Sequence, residues 1–280
     1  MLWLFALIPL VAGGFIIDSW SDNDDEVEDA ETPDVTVTDG DGNGSGDGGD
    51  TDDSGSNGDG PVTVNGSSDA DVVNEQNSKH DTLVTLRDGD DVASTGDGDD
   101  EIYGGAGNDA LFAGAGNDLL SGGKGNDILV GGEGEDQLFG HEGADALWGG
   151  SFSSDGTDII DDLAADTLSG GWGADTLVGG ASDVLTGGEK ADMFYAIQNG
   201  AEEGNAPVVT DFESGLDTLG VIVEDDDPSP DHVSFQENAD GTGVDMFYRS
   251  VKVMTLEGRA VADFENVVVD VVVANAQNAA

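Results

Sequence analysis

Residues 104–148 read GGAGNDALF AGAGNDLLS GGKGNDILV GGEGEDQLF GHEGADALW, five consecutive copies of one nine-residue unit. Glycine dominates the first, second and fourth positions, aspartate holds the sixth, and a leucine holds the eighth. Less regular copies flank these five: TGDGDDEIY (95–103), GGSFSSDGTDIID (149–161), DLAADTLS (162–169), GGWGADTLV (170–178), GGASDVLT (179–186) and GGEKADMFY (187–195). We interpret them as eleven units in one register, with a four-residue insertion in the unit that begins at Gly149.

Each unit divides into a turn and a short strand. Glycines allow a tight turn to take positive φ and let its carbonyl groups approach an ion closely. The aspartate at the sixth position adds a hard, charged oxygen of the kind that Ca²⁺ prefers. Of the three extended residues that follow, the middle one points inward.

The unit resembles the calcium-binding nonapeptide G-G-x-G-x-D-x-U-x of the RTX family (haemolysin-type repeats), in which U is a large apolar residue. The resemblance implies an all-β fold: a right-handed parallel β-roll in which two units complete one coil. It also implies that aspartates at the sixth position and glycines at the first and fourth form the calcium sites. Those residues are Asp100, Asp109, Asp118, Asp127, Asp136, Asp145, Asp158, Asp166, Asp175, Asp183, Asp192, Gly104, Gly107, Gly122, Gly125, Gly131, Gly134, Gly170 and Gly173.

Two units per coil would place alternate units on opposite edges of the roll. One predicted row of aspartates is Asp100, Asp118, Asp136, Asp158, Asp175 and Asp192, and the other is Asp109, Asp127, Asp145, Asp166 and Asp183. Inside, Ile102, Leu120, Leu138, Ile160, Leu177 and Phe194 are expected to stack against Leu111, Leu129, Leu147, Leu168 and Leu185.

The charge balance indicates divalent cations as the counter-charge. The chain has 61 acidic and seven basic residues, a formal charge of −54, which repels nucleic acid and anionic membrane surfaces. Stacked coils lie roughly 4.8 Å apart, so adjacent carboxylates repel by roughly 1 kcal/mol even in water. We expect about nine gaps between stacked turns that hold Ca²⁺. With affinities near ~10⁻⁴–10⁻³ M, such a roll folds outside the cell and stays unfolded in a cytosol.

The sequence before the array divides into three segments. Residues 1–17 contain the apolar run LWLFALIPLVAGGFII, which is either an export or membrane-anchoring segment or a helix buried in the protein or an interface. Residues 18–60 have no basic residue and predict a disordered acidic linker. Within it, residues 39–50 match part of an EF-hand loop but lack its final glutamate and flanking helices, which favours a plain linker.

Residues 61–94 contain the repeat in degraded form and are expected to cap the roll. GSSDADVVN (66–74) keeps Asp71 and Val73, and QNSKHDTLV (76–84) keeps Asp81 and Leu83, but most glycines are lost. The array itself is predicted to span residues 95–195.

One column of strand residues is unusually apolar: Ala110, Phe112, Ile128, Val130, Ala146 and Trp148. We expect it to face solvent. As a function, it can bind a polysaccharide or another protein. As structure, it can stabilise neighbouring strands or lie under the C-terminal segment.

Residues 196–280 are predicted to form an antiparallel β cap. VVTDFESGLDTL (208–219) resembles the segment that follows RTX arrays in serralysin-type exported proteins, which implies a last calcium site with Asp211 and Asp217. The ending ANAQNAA is similar to uncleaved type I secretion signals, with a frayed tail as the alternative.

The motifs do not indicate an enzyme. The histidines His80, His141 and His232 form no H-E-x-x-H motif, no G-x-S-x-G elbow occurs, and cysteine is absent. We therefore expect a secreted, extracellular, calcium-binding structural or surface protein. The alternative is an adhesin-like or polysaccharide-binding module, with matrix polysaccharide or a cell-surface protein as partner.

Overall fold

The computed structural model describes residues 61–76, 78–152, 159–198, 205–223, 227–264 and 267–274, together with the backbone of 36–38. The apolar segment 2–17, most of the predicted linker and residues 275–280 lie outside this described part. Among the described residues, no helix has the length and apolar character needed to span a membrane.

The described residues form strands and two short 3₁₀-helices, Pro230–His232 and Val261–Phe264. The strands before the insertion are β1 (Thr36–Thr38), β2 (Val62–Asn65), β3 (Val72–Asn74), β4 (Thr82–Asp88), β5 (Val92–Ser94), β6 (Glu101–Ala106), β7 (Ala110–Ala115), β8 (Leu119–Lys124), β9 (Ile128–Glu133), β10 (Gln137–Glu142) and β11 (Ala146–Trp148). The others are β12 (Ser151–Phe152), β13 (Ile159–Ile160), β14 (Thr167–Trp172), β15 (Thr176–Gly179), β16 (Val184–Glu189), β17 (Met193–Gln198), β18 (Val208–Val209), β19 (Thr218–Val223), β20 (Val233–Glu237), β21 (Gly243–Tyr248), β22 (Val251–Glu257) and β23 (Val269–Val273).

Successive repeat units alternate between two parallel sheets, which confirms the parallel β-roll. The first sheet has the order β1-β2-β4-β6-β8-β10-β14-β16-β18-β22-β21-β20, and the second β3-β5-β7-β9-β11-β15-β17-β19-β23. Each turn reverses the chain and delivers the next strand to the other sheet, so one coil takes two units. Stacking coils in register places equivalent residues of the repeat beside each other, as in the pairing of Leu111 with Leu129 and of Leu129 with Leu147.

The core is a double row of the apolar residues at the eighth position. All of them are fully buried: Ile102, Leu111, Leu120, Leu129, Leu138, Leu147, Leu168, Leu177, Leu185 and Phe194. The predicted stacking is correct as far as Leu147. Beyond it, Leu168 pairs with Leu138 and Leu177 with Leu147, so the predicted arrangement of the last units is exchanged between the sheets.

The exchange results from the insertion after Gly150. Ser151–Phe152 and Ile159–Ile160 pair as a separate antiparallel hairpin, and Ile160 is 42% exposed instead of stacking in the core. Residues 149–169 are therefore one unit with twelve extra residues, and the predicted division into two units was wrong. The G-x-D-x-I pattern at 156–160 imitates a repeat, but its isoleucines pair within the hairpin.

The register of the N-terminal cap also differs from the prediction. Val84, not Leu83, occupies the inward eighth position, since it pairs with Ile102 and is fully buried. Thr82 consequently lies at the sixth position and Asp81 at the fifth. Val73 is inward as expected, at 4% exposure.

The apolar column on the second sheet does not form an exposed stripe. Trp148 is completely buried and Val130 is 5% exposed, so the expectation that these side chains face solvent was wrong. They form a second apolar cluster with Val178 and Tyr195. Phe152 of the insertion packs against Trp148 with ring centroids 5.4 Å apart.

The C-terminal cap is mixed rather than purely antiparallel. Strands β20, β21 and β22 form an antiparallel meander that extends the first sheet. In contrast, β18 pairs in parallel with β16 of the first sheet. In the second sheet β19 pairs in parallel with β17 and β23 with β19, so these strands lengthen the roll. Phe264 stacks on both Phe212 and Phe235, which closes the end of the core.

Candidate metal centre

The aspartates at the sixth position form a continuous ladder along one edge of the roll, which we call the continuous edge. The backbone N–H of each aspartate donates to Oδ1 of the aspartate in the next coil, at 2.7–2.9 Å. The members are Asp71, Asp91, Asp109, Asp127, Asp145, Asp175, Asp192 and Asp217.

The opposite edge, which we call the interrupted edge, has a shorter ladder of the same kind. It runs from Thr82 through Asp100, Asp118, Asp136, Asp166 and Asp183, with N–H to Oδ1 distances of 2.6–2.9 Å. The insertion lies on this edge, between Asp136 and Asp166. The predicted rows were therefore wrong after the insertion, since Asp175 and Asp192 follow Asp145 whereas Asp166 and Asp183 follow Asp136. Asp158 lies outside the described residues.

The second carboxylate oxygen of most ladder aspartates has no partner. Oδ2 is buried without a hydrogen bond in Asp91, Asp100, Asp109, Asp118, Asp127, Asp136, Asp145 and Asp175. Each of these residues is at most 2% exposed. A buried carboxylate oxygen without a donor or cation is strongly unfavourable. The ladder therefore lacks a counter-charge at eight points.

Burial gives these carboxyl groups a strong affinity for protons. Desolvation raises the pKa of Asp109 and Asp127 to about 6, and that of Asp145 to about 7. Desolvation, followed by the neighbouring carboxylates, raises the pKa of Asp136 and Asp183 to about 8. Hydrogen bonds from backbone N–H groups oppose the shift in each case but do not offset it. A metal ion close to Oδ2 would favour the charged form instead.

The first-position glycines leave room for these oxygens. A Cβ at Gly104 or Gly131 would collide with Oδ2 of Asp109 or Asp136, and would lie 2.7 Å from the carbonyl oxygen of the first residue in the next coil. The same carboxylate collision is found at Gly122 and Gly170. An aspartate oxygen and a backbone carbonyl oxygen thus converge in a space that any side chain would fill.

The fourth-position glycines bring the turns into close contact. Gly125 has φ +123°, and a Cβ there would overlap the carbonyl oxygen of Gly107 in the preceding coil. Gly107, Gly134 and Gly173 make the same contact with Gly89, Gly116 and Gly143. Lys190 occupies a fourth position at φ +93° and lowers the pKa of the nearby Asp175, against the larger effect of burial.

A second ladder, which the sequence analysis did not predict, runs along the fifth position. Side-chain oxygens of Asp90, Asn108 and Asn126 accept the backbone N–H of the fifth residue one coil later, at 2.7–2.9 Å. On the interrupted edge Asp81, Asp99 and Asn117 do the same and the series ends at Glu135. The recurrence of Asn or Asp before the sixth-position aspartate was the available signal.

The two residues predicted to form the last calcium site both lie near Asp192, since both carboxylates contribute to its raised pKa after desolvation. Asp217 ends the continuous ladder, because Oδ1 accepts the N–H of Asp192 and Oδ2 that of Glu213. Asp211 accepts the N–H groups of Gly187 and Gly188. Sequence analysis missed Asp91, which has the full ladder geometry, and the pair Asp161 and Asp162 in the insertion.

These donors fit calcium rather than a soft metal. No group of three or more His, Cys, Asp or Glu side chains suited to a metal occurs in the described ranges. Backbone carbonyl oxygens must therefore complete any site between the turns. Calcium accepts six to eight such hard oxygen ligands in flexible geometry. The unpaired Oδ2 atoms supply hard oxygen ligands. The side-chain-free space at the first-position glycines leaves room for the ion and for the backbone carbonyl oxygens around it.

Comparison with known proteins agrees with this geometry. A family model described as the RTX calcium-binding nonapeptide repeat (4 copies) matches residues 87–120, 121–154 and 152–183. No curated protein matches the sequence. Among solved structures, the extracellular lipase LipA from Serratia marcescens is similar at 16% identity with a TM-score of 0.24, over 66% of this chain.

That similarity covers 37% of the lipase chain. The family match and the ladder geometry concern the same residues. The chain therefore contains an array of RTX calcium-binding nonapeptide repeats at residues 87–183.

Proposed function

We propose that this is an exported protein whose RTX array folds when it meets millimolar calcium outside the cell, and that its role is structural or at a surface. The observation that carries the proposal is the set of eight buried aspartates whose Oδ2 atoms have no partner. Without a cation the ladder places like charges side by side in a poorly solvated edge. With a cation in each gap, the same charges stabilise the stack.

The calcium affinity of the sites determines whether the array folds inside or outside the cell. A site contributes RT ln(1 + [L]/Kd), which is about 1.4 kcal/mol at ten times Kd and almost nothing at a hundredth of it. If Kd lies near the ~10⁻⁴–10⁻³ M of extracellular modules, several sites switch on together on export. The net charge of −54 keeps the unfolded chain extended and soluble until then.

We also propose that the chain is not an enzyme. Nε2 of His141 lies 3.0 Å from Oγ of Ser121, the kind of contact that a nucleophile and its base make. Both side chains are on the exposed side of the first sheet, however, and the described contacts give the imidazole no carboxylate to orient it. The contact is better explained as packing of His141 beside Phe139, whose ring stacks on it at 6.1 Å.

The test is far-UV circular dichroism of the full chain during a calcium titration, with magnesium as the control. We expect a cooperative gain of β signal near millimolar calcium and little change with magnesium, which binds backbone carbonyl cages poorly. A chain that is already fully β in chelator at pH 8 would contradict the proposal. Export is tested separately, by the fraction of the protein found in the culture medium.

A further inference from the structure

The insertion changes the hydrogen bonding of one gap between coils on the interrupted edge. In a regular gap, the N–H of the fourth residue donates to the third-position carbonyl of the next coil, as from Gly116 to Glu133 at 2.8 Å. Above Gly134 that carbonyl is missing, because the chain leaves the coil after Gly150. The N–H of Gly134 donates instead to Oδ2 of Asp162, at 2.6 Å.

The rest of this gap keeps the geometry of a regular one. Asp136 is 1% exposed, and its Oδ2 is buried without a partner. This oxygen and the carbonyl oxygen of Gly149 both lie against the vacant side of Gly131, as the equivalent atoms do at Gly104 and Gly170. An oxygen with no partner and a neighbouring carbonyl therefore lie in the same turn-to-turn gap as the N–H of Gly134, which donates to Asp162.

Asp162 adds negative charge at this point. Its carboxylate is close enough to Asp136 and Asp166 to contribute to the raised pKa of both, after desolvation. A groove of about 650 Å³, lined in part by Gly116, Gly134 and Asp162, lies on the Asp162 side of the gap. Ions in solvent can reach this carboxylate from the groove.

We propose that the calcium ion in this gap has a different ligand set, with the carboxylate of Asp162 in place of the backbone carbonyl that the insertion removes. Asp136 supplies the second carboxylate and Gly149 a carbonyl. The site rests on the proposed function, since the roll must bind calcium elsewhere to be folded. It differs from the nonapeptide sites because one coil contributes a side chain from outside the repeat.

The test counts calcium ions on the folded full chain by native mass spectrometry, for the wild type and for Asp162→Asn. The asparagine retains an acceptor for the N–H of Gly134 but removes the charge and an oxygen ligand. We expect compact ions of the variant to carry one calcium fewer. The matched control is Asp90→Asn, which also replaces a turn carboxylate that accepts a backbone N–H, that of Asn108. It should leave the count unchanged.

Each outcome decides between the two proposals. Equal counts for wild type and Asp162→Asn overturn the different ligand set and leave Asp162 as a hydrogen-bond acceptor only. A wild-type chain that binds no calcium overturns the proposed function itself. Counting only compact ions separates loss of one site from loss of folding, and loss of one ion from Asp90→Asn as well would overturn the assignment to Asp162.

Discussion

The continuous and the interrupted edges are built from the same repeat but differ in how they balance charge. Five aspartates of the continuous edge have an unpaired Oδ2. On the interrupted edge only three do, and the last two aspartates lie beside the acidic insertion. Asp183 there has both oxygens partnered, by the N–H groups of Asp166 and Gly180. Regular repetition thus creates a dependence on cations, whereas the shortened unit around Asp183 substitutes a hydrogen bond for part of it.

The first prediction concerns pH, which acts on many buried aspartates together. In the ion-free roll, desolvation raises the pKa values of nine of them from 3.8 to between about 6 and about 8, so the folded state binds more protons than the unfolded chain. These nine are Asp91, Asp109, Asp118, Asp127, Asp136, Asp145, Asp166, Asp183 and Asp192. Stability linked to these groups is complete below pH 3.8 and is lost as pH rises through the folded pKa values. We expect the chain in chelator to gain β signal on acidification from pH 8.5 to 5, as measured by circular dichroism.

The two edges should titrate in different ranges. The continuous edge loses its protons mainly near pH 6 to 7, and the interrupted edge up to about pH 8 because of Asp136 and Asp183. Asp136→Asn should therefore lower the pH at which the loss of β signal is complete. Asp109→Asn should instead change the part of the transition near pH 6. A β signal in chelator that rises with pH would contradict the sign of this prediction.

The next largest effect on stability is expected from a glycine-to-alanine substitution that places a methyl group between two turns. Gly125→Ala on the continuous edge combines φ +123° with overlap of the Gly107 carbonyl, and we expect a loss of about 3 kcal/mol or more. Gly180 on the interrupted edge does not have a positive φ, and the three atoms nearest to the Cβ of Gly180→Ala all belong to the side chain of Asp161. Thermal unfolding in saturating calcium should show Gly125→Ala to be clearly the less stable variant. Equal melting temperatures would mean that the turns are not held at this spacing.

Replacing a ladder aspartate by asparagine should lower the calcium affinity more on the continuous edge than on the interrupted edge. Asp127→Asn keeps an acceptor for the N–H of Asp109 but replaces the unpaired Oδ2, so the calcium midpoint should rise about tenfold, roughly 1.4 kcal/mol. Asp183→Asn alters a carboxylate whose oxygens are both hydrogen-bonded, and its midpoint should change less than about twofold. Calcium titrations followed by circular dichroism measure both. A larger shift for Asp183→Asn would reverse the assignment of the two edges.

How far sequence could predict this molecule depends on local regularity. The roll, its inward leucines and the aspartates up to Asp145 follow from a period that each unit repeats. The exchange of Asp166 and Asp175 between edges could not be predicted, because it depends on whether Ile159–Ile160 stacks on a coil or pairs with Ser151–Phe152. Burial of Trp148 depends on the same insertion. The Oδ2 atoms without partners follow from coil spacing, which no single unit encodes.

The smallest predicted effect tests the fifth-position ladder. Asn126→Ala removes the acceptor for the N–H of Ala144. Because this N–H is exposed, water can replace the lost acceptor, and we expect the free energy of unfolding to fall by about 0.5–1.5 kcal/mol. The melting temperature in saturating calcium should fall by a few degrees, and Asn117→Ala on the interrupted edge, which frees Glu135, should cost about the same. Asn126→Asp is the matched control, since it retains the acceptor and adds only charge. If Asn126→Ala melts at the wild-type temperature, the ladder contributes nothing and the coils are held by the sheets and by calcium alone.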